Sequence, residues 1–204
     1  MSFFRNILCL FFLTTQYSGP LYSKEGEVRT WSSFLHESGV EILLSREQSP
    51  VDFSNEEILN IGIRSTENMA KDCEVDSKFR KLSLQALSCY YFKDGNNIDL
   101  AYYWSRKGAQ EGENLSMYVL GSIFLNGGPV IKSHEHASKW IILSYIYGYE
   151  PALGVLMDSH KELYKELEAI RPAMVTGLDL AKKWIKDHPE LKQINSIKAF
   201  SFIK

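Results

Sequence analysis

From Trp31 to Trp184 the apolar residues recur three and four apart, the spacing that lines one face of an α-helix. Leu115, Tyr118, Val119 and Ile123 make one such stripe, which Gly127-Gly128-Pro129 stops. Ser133 is placed to cap the next helix, whose stripe is Ala137, Trp140, Ile141, Ser144 and Tyr145, with Gly148 as its stop. Upstream, Phe79, Leu82, Ala86 and Tyr90 mark another helix. Ser54-Asn55-Glu56-Glu57 is a capping-box start ahead of Ile58, Ile61 and Met69. Trp31, Phe34 and Leu35 predict a short helix, with Pro50 breaking the chain after it. Near the other end, residues 159–171 read as a charged amphipathic helix with Leu163, Leu167 and Ile170 on one face. Pro172 then opens a further helix, which ends at His188-Pro189. The tail 191–204 carries Ile194, Ile197, Phe200, Phe202 and Ile203, a composition that suits either a segment folded back or a free end.

Two of these segments repeat each other. NIDLAYYWSRKGAQEG ends at Gly112 and SHEHASKWIILSYIYG ends at Gly148, so that Ala101 matches Ala137, Trp104 matches Trp140 and Gly112 matches Gly148, each 36 residues apart. The halves before them match as well: Leu87-Ser88 and CYYFKDG correspond to Leu120-Gly121 and SIFLNGG, with three residues missing from the earlier copy. The unit is a helical hairpin. The small residues Gly121 and Ala137 let its two helices approach closely, and Trp140 is expected to fill the space between them. One such hairpin cannot bury its own apolar face, so neighbours must stack.

The pattern resembles the Sel-1-like repeat, a tetratricopeptide-like hairpin of form A-x-x-x-L-G-x-x-Y-x-x-G-x-G-V followed by D-x-x-x-A-x-x-W-x-x-x-A-A-x-x-G. The second copy keeps Leu120, Gly121, Phe124 in place of the tyrosine, Gly127, Val130, Ala137, Trp140 and Gly148. It departs from the pattern at Pro129, Ser133 and Ser144-Tyr145. The first keeps Leu87, Tyr91, Gly95, Ala101, Trp104, Ala109 and Gly112, with Ser88 for the first glycine. Ala181 and Trp184 restate the Ala-x-x-Trp pair and resemble the closing helix of bacterial members. The resemblance implies an all-α fold: a short α-solenoid of stacked helical hairpins with N- and C-terminal helical caps. The expected organisation is a signal peptide over 1–23, an N-terminal helical cap over 24–78, two repeats over 79–157, capping helices over 158–190 and a tail over 191–204.

The signal peptide is read from the N-terminus itself. Arg5 precedes an apolar run from Ile7 to Leu13, too short to span a bilayer, and the small and polar TTQYSGPLYS leads to an exit at Ser23. Cys9 sits inside the run instead of at its exit, which argues against a lipid anchor. Removing 1–23 leaves no integral membrane segment and leaves Cys73 and Cys89 as the cysteines of an exported protein, which predicts a disulfide between them. Unpaired buried thiols are the plainer alternative.

Composition narrows the function. Hydrophobic residues at 45% and charged residues at 24% exclude disorder over most of the 204 residues. A formal net charge of −2 gives no basic field for nucleic acid. No Walker loop, G-x-G-x-x-G, H-E-x-x-H or G-x-S-x-G occurs. His134 and His136 are two apart on a helix and so point to different faces, which makes a poor metal pair. Asp158-Ser159-His160 has the letters of a triad, but adjacent residues cannot take its geometry, and a helix cap suits them better. Glu162, Glu166 and Glu168 read as a charged helix face. Gly127-Gly128 reads as a turn. No cofactor, metal or catalytic residue is therefore expected, and the chain reads as a non-enzyme.

Together these features lead us to expect a protein–protein interaction module, a scaffold or adaptor with one protein partner in the periplasm of a Gram-negative-type bacterium. The alternative is an immunity or inhibitor protein that neutralises a secreted toxin or lipase. A binder of envelope glycans is a third class, without a cleft to support it. Apolar residues at normally polar repeat positions are the candidate contacts: Tyr103, Met117, Val119, Tyr145 and Tyr149. Of these, Val119 and Tyr145 read better as core, and Tyr103 and Met117 are the stronger contact candidates.

Overall fold

The computed structural model describes residues 21–22, 28–154, 167–201 and 203, with backbone alone at 21–22, 28–29 and 167–170. The expected signal peptide lies outside the described residues, apart from Leu21 and Tyr22. So do Asp158-Ser159-His160, Glu162 and Glu166. The chain divides into two compact units, residues 1–66 and 67–204. The fold is all-helical with neighbouring helices packed as a stack of hairpins. The exception is a two-residue antiparallel ladder, in which β1 (Leu21–Tyr22) pairs Leu21 with Arg29 and Tyr22 with Val28 of β2 (Val28–Arg29).

In the first unit, α1 (Trp31–Ser45) starts where the Thr30 side chain accepts the Ser33 N–H at 3.0 Å. A single 3-10 turn, Pro50–Asp52, follows. Helix α2 (Asn55–Lys71), whose end from Glu67 onward belongs to the second unit, begins with the expected capping box: Ser54 N–H donates to Glu57 Oε2 at 2.8 Å and Glu57 N–H to Ser54 Oγ at 3.3 Å. The two helices cross at glycines. A Cβ on Gly39 would run into the Ile58 carbonyl, and one on Gly62 into the Leu35 carbonyl. Trp31, Leu35, Ile42, Leu43, Ile58 and Ile63 are buried in this unit.

In the second unit, α3 (Ser77–Lys93) and α4 (Ile98–Gln110) form the first hairpin, and α5 (Asn114–Asn126) and α6 (His134–Ile146) the second. Each helix packs on the next, and α3 also packs on α5. The loop Asp94–Asn97 of the first hairpin is three residues shorter than Gly127–Ser133 of the second, which accounts for the gap between the copies. Ser133 caps α6, accepting the His136 N–H at 3.2 Å. Close approach at Gly121 is as expected: a Cβ there would sit 2.7 Å from Ile141 Cγ1 and 3.2 Å from the Ala137 carbonyl. Ser88, its counterpart, is buried and sits 3.1 Å from Ser116 Oγ, so the first copy bridges with hydroxyls where the second uses a bare backbone.

Three expectations are corrected here. Trp140, expected to be enclosed between α5 and α6, is only half-buried, and its ring meets Trp184 edge-on at 5.9 Å. Pro172 lies inside α7 (Leu167–Asp187) instead of opening it. The disulfide is absent: Cys73 is exposed in the connection after α2 and Cys89 is buried in α3, both as free thiols. Burial pushes the Cys89 thiol well above its ordinary pKa, which keeps it protonated and inert.

Helix α7 closes the stack against α6. Ala173, Met174, Leu178, Ala181 and Trp184 are buried, and a Cβ on Gly177 would meet Ser138 Cβ at 2.6 Å. The tail folds back across the helix ends. Leu191 covers Gly112, Ile194 covers Gly148, and Phe200 and Ile203 are buried. The N–H groups of Ile194 and Asn195 both donate to the Ile146 carbonyl at 2.9 Å, and Asn195 Nδ2 donates to the Tyr145 carbonyl at 2.8 Å. The Ile146 carbonyl, which the helix itself leaves open, is thereby satisfied, and the Tyr145 carbonyl, which already accepts the Gly148 N–H at 2.9 Å, gains a second donor.

Candidate interaction surface

Helix α4 starts at Asn97, whose side chain accepts the Leu100 N–H at 3.1 Å, and this start sets the register of everything on its faces. Ala101, Trp104, Ser105, Gly108 and Ala109 turn inward, and Trp104 is only 1% exposed. Tyr103, one residue earlier, is carried outward and is 43% exposed. Its ring meets the indole of Trp104 edge to face at 4.8 Å. Lys107, one turn on, holds its ammonium 4.7 Å from the Tyr103 ring and 5.6 Å from the Trp104 ring. From α2, Lys71 stands over the same indole at 5.6 Å.

The carboxylates around this patch have other engagements. Glu67 pairs with Lys71 at 3.7 Å and accepts the Tyr91 hydroxyl at 3.2 Å. Burial, and after it the Glu67 charge, pushes the Tyr91 hydroxyl far above the ordinary tyrosine pKa, so it stays a donor. Glu111 is held by Arg80 at 3.0 Å. The indole Nε1 of Trp104 is buried and has no hydrogen-bond partner among the described residues.

The other candidate contacts lie elsewhere. Met117 is a core residue at 0% exposure, contrary to the expectation of contact, and Val119 at 2% takes the core role expected of it. The reason is geometric: α5 packs against α3, α4 and α6, and a helix covered on several sides buries more than one stripe. Tyr145 is half-buried with its ring edge-on to Phe200 at 5.3 Å, and Tyr149 is half-buried against Tyr118 at 5.0 Å. Burial first, then Tyr118 and Cys89, pushes the Tyr149 hydroxyl up to about 12. Of the candidate contacts only Tyr103 stays open to solvent. Lys107 and Lys71 were not singled out in the sequence; the four-residue Tyr103–Lys107 spacing was a signal for the first, and nothing local signalled the second.

The polar groups most suggestive of chemistry have structural duties. Glu113 is buried at the start of α5, where its carboxylate accepts the N–H groups of Leu115 and Ser116. Desolvation raises its pKa, against the opposing pull of those hydrogen bonds and Lys81. His136 packs on Phe124 at 5.2 Å, while Glu135 accepts the Ser133 hydroxyl at 2.7 Å. Among the described residues no three His, Cys, Asp or Glu side chains converge as a metal site would need, and no helix is long and apolar enough to cross a membrane. Compared with family models, with curated proteins and with solved structures, the chain finds no match.

Proposed function

We infer that this chain is a non-enzymatic protein–protein interaction module of the Sel-1-like kind, exported to the bacterial periplasm, where it acts as a scaffold or adaptor. The observation that carries the reading is Tyr103: a large aromatic side chain held outward on a hairpin stack, with its backbone fixed by the burial of Trp104 beside it. A rigid aromatic anchor on a preformed surface loses little conformational freedom on binding, which is the usual make-up of an interface hot spot. Stacked hairpins supply the rigidity, since each is ordered by its neighbours.

Affinity capture from an envelope extract, with wild-type protein and Tyr103→Ala as parallel baits, tests the reading. A protein recovered stoichiometrically by the wild type and lost with the variant, at unchanged melting temperature, supports it. Recovery of no protein by the wild type, or equal recovery by both, removes the support that Tyr103 provides.

A further inference from the structure

We propose that Lys71, Lys107 and the indole N–H of Trp104 form a seat for a carboxylate side chain carried by an acidic segment of a protein partner. The proposal rests on the interaction-module reading and gives that partner its chemistry.

Three observations meet at one ring. Two ammonium groups stand 5.6 Å from the centre of the Trp104 indole, one from α2 and one from α4. The indole carries a buried N–H that no acceptor satisfies among the described residues, and a donor left in that condition is costly in a folded protein. Lys107 also has no carboxylate within ion-pair distance among the described residues. The acids that could have served are committed: Glu67 to Lys71 and Tyr91, and Glu111 to Arg80. Asp99, on the same helix, lies two turns away from Lys107.

Two ammonium groups against the single Glu67 carboxylate leave a positive excess, and the ammonium groups and the indole N–H are all donors. A carboxylate is the complement, since it offers acceptor lone pairs only and carries the opposite charge. Lys71 is exposed and Lys107 half-buried. The seat requires the indole edge to open, so that one carboxylate oxygen accepts from Nε1 while both ammonium groups face the other. Tyr103, beside the seat and open to solvent, gives the neighbouring residue of the bound segment an aromatic face.

The test is a titration of uniformly 15N-labelled full chain, following the indole N–H resonances, with Trp104 assigned through Trp104→Phe. The probes are a glutamate- and phenylalanine-containing peptide, the same peptide with every glutamate replaced by glutamine, and inorganic phosphate. The glutamyl peptide is expected to move the Trp104 resonance downfield with saturation, and the glutaminyl peptide to leave it in place. Lys107→Met and Lys71→Met, which keep most of the stem, should each weaken the glutamyl peptide by about tenfold, while Lys107→Arg retains it. Added salt should weaken wild-type binding steadily, a readout that needs no variant to fold.

An unmoved Trp104 resonance, equal shifts with both peptides, or salt-insensitive binding overturns the proposal. A phosphate shift as strong as that of the glutamyl peptide replaces it with a free-anion site. The wider reading fails separately. If envelope capture recovers one protein equally with the wild type and with the double methionine variant, the module stands and the lysine seat falls. If capture recovers nothing while the glutamyl peptide still binds, the seat stands and the module reading falls.

Discussion

Trp104 and Trp140 occupy the same place in the two hairpins, 36 residues apart, and meet different surroundings. Trp104 is closed in: 1% exposed, edge-on to Tyr103, with an ammonium group from each of two helices over its ring. Trp140 is half-buried, with Lys139 at 4.1 Å over it and the edge of Trp184 at 5.9 Å. The same residue type in the same register thus has two fates, because a repeat position fixes where a side chain starts and the neighbouring element fixes what covers it. For Trp140 much of that cover comes from α7, whose own tryptophan also packs on Tyr147 at 5.7 Å and stacks on His188 at 3.9 Å. The closing helix substitutes for a further hairpin.

The contrast predicts unequal losses. Trp104→Ala should cost roughly 3–5 kcal/mol, the range for a fully enclosed aromatic, and Trp140→Ala about 2 kcal/mol. Urea denaturation of the two variants measures both, and equal losses would dissolve the distinction. The small residues sharpen it next. Gly121→Ser must force Ile141 aside and should cost about 1–3 kcal/mol, whereas Ser88→Gly loses a hydroxyl contact and some helix propensity, about 1 kcal/mol. A Gly121→Ser protein as stable as the wild type would mean that the two hairpins tolerate one another's solutions.

A smaller effect separates the helix caps. Because burial raises the Glu113 pKa in the folded state, folding takes up a proton there. The stability linked to this group is complete at pH below the ordinary glutamate value of about 4.5 and is lost as pH rises through the raised folded value. Urea midpoints for the wild type and Glu113→Gln, compared across the acidic range, should therefore draw apart as pH rises, with the wild type losing ground. The cap of α6 has the opposite sign: the Ser133 hydroxyl holds the Glu135 carboxyl below its ordinary pKa, so Ser133→Ala should cost about 1 kcal/mol near neutral pH and less as pH falls through the Glu135 titration. Smallest of all, Tyr103→Ala should leave the melting temperature almost where it was, and a fall of several degrees would place that ring in the core.

Local chemistry was legible in the sequence wherever it acts over a few residues. The Ser54–Glu57 box, the Ser133 cap, the glycine stop at 127 and the three-residue loop difference are all present in the folded chain. So is the narrow gap at Gly121 and Ala137, since small residues at matched repeat positions imply approach. What escaped depends on partners distant in sequence. Met117 reads as a surface residue until α3, α4 and α6 are seen to cover α5. Gly39 and Gly62 read as weak helix positions, and only the crossing of α1 and α2 gives them a purpose. The disulfide argument rested on counting two cysteines, and a count holds no information about which way each side chain faces. The seat at Trp104 was half visible: Trp104 stood out by its repeat position and Tyr103 by its polarity, while Lys71 reaches the ring from another helix.

The folded-back tail has a consequence for synthesis. Ile194 and Asn195 complete the end of α6, and the Asn195 side chain spans 50 residues to do so. A chain emerging from the ribosome can form its hairpins in order, each on the one before, but the Asn195 side chain that helps close the last hairpin emerges 50 residues after its Tyr145 acceptor. Until Ile194 and the residues after it clear the exit tunnel, the carbonyl of Ile146 and the apolar positions later covered by Phe200 and Ile203 face water. A nascent chain stalled before Leu191 is thus a stack of hairpins whose last helix end is unsealed, open to the chaperones and proteases that meet it.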